Sequence, residues 1–166
     1  FFIMKLKSAI SLLLLCISLL VCGQTEDDSI RQVVLKNDVT DSLYVFGKWN
    51  KTGDTETRLM LLGTIKSDLG NYKIMTSCWL WGLSHRATNR ILIFSEENVY
   101  LGNYYLTMTY DLPEKIENNE LVFLHSESDD CDKTVITRLS FDAGIPEEFF
   151  LMCKDSSGDI YSFDKE

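Results

Sequence analysis

Apolar residues in this chain come in short runs separated by turn residues, and that spacing limits the fold more than any other feature. The runs cover residues 31–36, 43–46, 57–65, 72–81, 90–94, 99–110, 121–124, 134–141, 149–153 and 160–163, with Gly, Asn, Asp and Ser between them. Segments this short suit strands, which bury alternate side chains, better than helices, which need longer runs at a 3.6-residue period. Ten of them predict an all-β chain forming a single antiparallel β-sandwich or β-barrel domain, and the sequence leaves these two closures open. In 72–81, Tyr72, Ile74, Thr76, Cys78 and Leu80 fall on one side, and Met75, Trp79 and Trp81 on the other. In 99–110 the even positions Tyr100, Tyr104, Leu106, Met108 and Tyr110 are expected to face the core, with Gly102 at a bulge or close approach. Helix is expected only as a turn or two at 83–89 and at Pro146-Glu147-Glu148-Phe149, where proline suits the first helical position. Asp155-Ser156-Ser157-Gly158-Asp159 has the composition of a hairpin turn.

The first 23 residues follow a different logic. Met4-Lys5-Leu6-Lys7 is a cationic start, and residues 9–21 are apolar apart from Ser11 and Ser18. An apolar run this short falls below the roughly 20 residues that span a bilayer, so 1–23 reads as an export signal with Met4 as the expected start. Two cleavages compete. Val21 and Gly23 suit a signal peptidase cutting before Gln24, whereas a lipoprotein peptidase would cut before Cys22 and leave its thiol lipidated. A lipid at Cys22 is the only expected membrane attachment. Residues 24–40 then form an acidic lead-in, and 41–166 the single β domain, without repeat or linker.

Removing the two signal lysines takes the net charge from −9 to −11. So strong an acidic excess argues against a nucleic-acid partner and against a basic patch on anionic lipid. The domain keeps Cys78, Cys131 and Cys153. In an exported chain one bridge is expected, Cys131 to Cys153, leaving Cys78 as a buried small hydrophobe. No Cys/His spacing of a zinc site is present, and neither metal nor cofactor is expected.

The densest collection of chemistry lies at 79–90, where Trp79, Trp81, His85, Arg86, Asn89 and Arg90 gather at a strand end and the turn after it. Alternation puts both indoles on one face, and a helical turn would put Arg86 and Arg90 on one side. Rings beside guanidinium groups suit an anionic or carbohydrate ligand. The competing reading makes the tryptophans core and pairs each arginine with one of the 25 acids. Gly82-Leu83-Ser84-His85-Arg86 misses the nucleophile elbow at its last position, where Arg86 replaces glycine. Glu127, Asp129, Asp130 and Asp132 crowd Cys131 but lack the order of a calcium loop, and read as a solvated loop. Gly47-Lys48-Trp49 resembles the first-strand motif of lipocalins, with no later lipocalin motif behind it.

Thr76-Ser77-Cys78-Trp79-Leu80-Trp81-Gly82, Arg86-Ala87-Thr88-Asn89-Arg90-Ile91 and Leu101-Gly102-Asn103-Tyr104-Tyr105 are similar to small exported proteins of flavobacteria. Gln24-Thr25-Glu26-Asp27-Asp28 likewise resembles the acidic tag that follows the lipidated cysteine in Bacteroidetes surface lipoproteins. The resemblance implies a bacterial envelope setting and supplies no activity. The expected function is therefore a non-enzymatic exported envelope protein, binding an unidentified envelope ligand or protein through the Trp/Arg-rich segment. Two rivals are an acidic inhibitor or immunity-like protein of a basic exported toxin, and a hydrolase using His85, His125 or an unrecognised acid pair.

Overall fold

The structure is a computed structural model and describes residues 25–166; the expected signal segment 1–23 and Cys22 lie outside the described residues. The described residues open with a helix, α1 (Thr25–Asn37), and residues Val34–Glu166 form one compact unit. Ten strands follow: β1 (Leu43–Gly47), β2 (Glu56–Ser67), β3 (Gly70–Trp81), β4 (Arg86–Ser95), β5 (Tyr100–Leu106), β6 (Lys115–Glu117), β7 (Glu120–Leu124), β8 (Ile136–Ser140), β9 (Glu148–Lys154) and β10 (Ser157–Lys165). Seven strands form one antiparallel sheet in the order β1-β2-β3-β4-β5-β10-β9, and β6-β7-β8 form a second. The large sheet stays open, because its edges β1 and β9 do not pair with each other. The closure is that of a sandwich.

The two sheets share one core. Ile74, Ile91, Ile93 and Tyr104 from the large sheet meet Leu121 and Phe123 from the small one, all at most 1% exposed. Burying each such side chain stabilises the fold by roughly 1.5–3 kcal/mol. Two hairpins turn on pairs that both take positive φ, Asn118-Asn119 and Asp155-Ser156, as the twist of two-residue hairpins requires. Gly102 sits where β5 and β10 close up: a Cβ there would lie 2.3 Å from the Asp164 carbonyl oxygen. The register of β4 on β5 shifts at the facing point, between Ile93 and Phe94. Cys131 and Cys153 form the expected disulfide, tying the acidic loop to the end of β9. Cys78 is buried, and desolvation pushes its thiol pKa up.

Four expectations are corrected. Residues 31–36 are helix, with Val34 and Leu35 buried, so the run is one stripe of an amphipathic turn rather than a strand. Residues 83–89 are a tight turn followed by the start of β4, and no helix forms at Pro146. The run 99–110 stops being strand at Leu106: Met108 is exposed, and Thr109–Asp111 make a 3-10 turn. β6 was not anticipated, because Lys115-Ile116-Glu117 offers only one apolar residue.

Candidate functional site

Antiparallel register builds the site. Trp81 lies opposite Arg86, Trp79 opposite Thr88, and Ser77 opposite Arg90, while Arg90 lies opposite Tyr105 on β5. Directly paired residues share a face of the sheet, so these side chains stand together on the face turned away from the shared core. Here the two arginines share a side because β4 alternates, and no helical turn is involved. The inner positions of this face, Met75 and Ser77, are buried, whereas Trp79 is 38% and Tyr105 55% exposed.

The side chains form a braced stack. Trp79 and Trp81 stack with ring centres 5.6 Å apart, and the Arg86 guanidinium lies over the Trp81 ring at 5.5 Å. The Arg90 guanidinium lies over the Tyr105 ring at 5.2 Å. Between the two stands Thr88. Its hydroxyl accepts a hydrogen bond from Trp81 Nε1 at 3.0 Å and another from the Tyr105 hydroxyl at 3.3 Å. Among the described residues neither Arg86 nor Arg90 pairs with a carboxylate; the ion pairs use Arg31, Arg58, Lys73, Lys115 and Arg138 instead. In a chain with this acidic excess, two guanidinium groups therefore keep their donors available for an outside acceptor.

The other two residues expected at the site go elsewhere. Asn89 is 1% exposed on the opposite face and accepts a hydrogen bond from the Thr109 hydroxyl. His85 takes positive φ in the turn and packs against Trp49 at 4.1 Å. Trp49 Nε1 caps the same turn by donating to the Gly82 carbonyl. Nearby, the Glu56 carboxyl is held below its ordinary pKa, first by its hydrogen bond from Arg58 and also by the Trp49 N–H, against the opposing effect of burial. Thr88 and Tyr105 belong to the site without having been singled out. Alternation already turned Tyr105 outward, but its place beside Arg90 depends on the β4–β5 register, which no local pattern encodes.

Two cavities lie away from this face. One, of ≈ 370 Å³, is lined by Met60, Tyr110, Leu112, Glu114 and Ser126 among others. Another, of ≈ 100 Å³, includes Asp111, His125 and the disulfide in its walls. His125 is buried, and its Nε2 lies 2.6 Å from the Met152 carbonyl. Ser84 is exposed in the 82–85 turn, and no hydrogen bond joins it to His125. Among the described residues no group of three or more His, Cys, Asp or Glu side chains is placed to hold a metal ion. Comparison with family models, with curated proteins and with solved structures yields no match for this chain.

Proposed function

We propose that the protein is a non-enzymatic exported envelope protein that binds an anionic ligand or partner on the outer face of β3, β4 and β5. The observation that carries the reading is the pair of stacked guanidinium groups without carboxylate partners. An arginine held on a ring is already ordered, so less side-chain entropy is lost when its fork meets a carboxylate, sulfate or phosphate. The test is equilibrium binding of the mature protein to peptidoglycan fragments, acidic glycans and envelope proteins, repeated with Arg86→Gln and Arg90→Gln. Both variants should fold normally and lose affinity about tenfold or more, the usual scale for a charge-assisted hydrogen bond. A ligand held equally well by both variants would remove this face from consideration.

The acidic excess favours a second reading, in which the protein is an inhibitor or immunity-like partner of a basic exported protein. There the partner would meet carboxylates, and the two arginine variants would leave its affinity unchanged or raise it.

A further inference from the structure

We infer that the ligand of this face is an acidic polysaccharide with at least two charged sugars; the inference rests on the binding reading above and narrows it. Arg86 and Arg90 are four residues apart on one strand, roughly 13 Å at the backbone. Each is stacked on its own ring, Trp81 from β3 and Tyr105 from β5, and both rings are pinned to the Thr88 hydroxyl. Each guanidinium offers five N–H donors and one carboxylate only about four acceptor sites, so a single small anion leaves most of the donors unmet. A ligand with charges at both ends of a short extended body satisfies both guanidinium groups.

The position on the sheet selects among extended polyanions. An acidic peptide in extended form gains affinity by adding to a sheet edge, where N–H and C=O groups are unpaired. The Trp79, Arg90 and Tyr105 side chains instead stand on the face of the sheet, and the β4 backbone that β5 leaves unpaired beside them is only the 86–88 stretch before the ladder starts at Asn89 and Leu106, too short to give a peptide backbone more than a brief ladder. A sugar chain has no such need. Its hydroxyls stay hydrated, its ring C–H faces pack on exposed aromatic surface, and Trp79 and Tyr105 supply that surface. The negative field of the whole molecule repels every polyanion, and it penalises nucleic acid more than a chain with one charge per sugar, because phosphates follow one another more closely along the strand.

The test is calorimetric titration of the mature protein with galacturonic acid, its linear tetramer, the neutral maltotetraose, a tetraglutamate peptide and a dT8 oligonucleotide. The acidic tetramer should bind at least about tenfold more tightly than the acidic monomer and the neutral tetramer, consistent with one extra charge-assisted contact. Arg86→Gln and Arg90→Gln should each bring the tetramer down to the level of the monomer. Equal binding of monomer and tetramer, with both variants impaired, would overturn the polysaccharide inference and leave an anion site standing. Preference for the peptide or the oligonucleotide would overturn it in favour of that class. Failure of every anion to bind would sink both the inference and the reading beneath it.

Discussion

The Thr88 hydroxyl accepts hydrogen bonds from two rings on different strands, and each ring carries a guanidinium group. Removing that one oxygen should loosen all four side chains. Thr88→Val keeps the shape but strands two partly buried donors, at a cost of about 1–2 kcal/mol, and should weaken the near-ultraviolet dichroism of the Trp79–Trp81 stack. Thr88→Ser restores the acceptor and should restore the signal; equal spectra for all three proteins would show that the rings need no brace. A second residue-scale prediction concerns Tyr161, whose hydroxyl donates to Asp111 Oδ2 at 2.9 Å. Burial, more than the neighbouring Asp111 carboxylate, pushes its pKa from the usual 10 to about 12. Burial raises Tyr104 in the same direction. Both groups are raised acids, so their contribution to stability is complete below pH 10 and is lost as pH climbs through the folded pKa. Denaturant midpoints should stay level to about pH 10 with respect to these groups and fall toward pH 12, and Tyr161→Phe should soften that fall. The same variant deprives a buried carboxylate of a donor, which should cost about 1–3 kcal/mol near neutral pH.

At the scale of elements, strands were legible where alternation was strong, and the helix α1 was not. The run Arg31-Gln32-Val33-Val34-Leu35-Lys36 carries two β-branched residues and ends near Asn37 and Asp38, so by itself it resembles an edge strand. Its helical character comes from context. Asp28 pairs with Arg31 one turn further on, Lys36 in the last turn suits the helix dipole, and Asp38 takes positive φ to end the helix, donating its N–H to the Val34 carbonyl. The disulfide was readable because it needed only an oxidising setting and an odd cysteine better suited to the core. It closes a loop with a sequence separation of 22 residues, which in the chain-entropy account amounts to about 3 kcal/mol. The double variant Cys131→Ala, Cys153→Ala should therefore lose close to that amount in chemical denaturation. A loss below about 1 kcal/mol would mean that the loop is already confined in the unfolded chain.

On the scale of the whole molecule, the acidic field and the small cationic site pull in opposite directions, and this makes the two functional readings separable by kinetics. The sequence disclosed the field and the segment bearing the arginines, but not that the arginines stay unpaired. Opposite charges outnumber them, and only the three-dimensional register put Arg86 over Trp81 and Arg90 over Tyr105 instead of beside an acid. With residues 24–166 carrying −11, a polyanion approaching from a distance meets repulsion, and it gains attraction only within contact range of the two guanidinium groups. Salt shortens the Debye length from about 30 Å at 0.01 M to about 8 Å at 0.15 M, which removes the long-range repulsion before it weakens the close contacts. Association with an acidic glycan should therefore become faster as salt rises over this range, while dissociation becomes faster as well. A basic protein partner must behave the other way, with association slowing steadily as salt screens the steering field. Stopped-flow rates at several ionic strengths decide between the two. An acidic ligand whose association slows with salt from the outset would show that the local field of Arg86 and Arg90 outweighs the charge of the whole molecule, and would overturn this account.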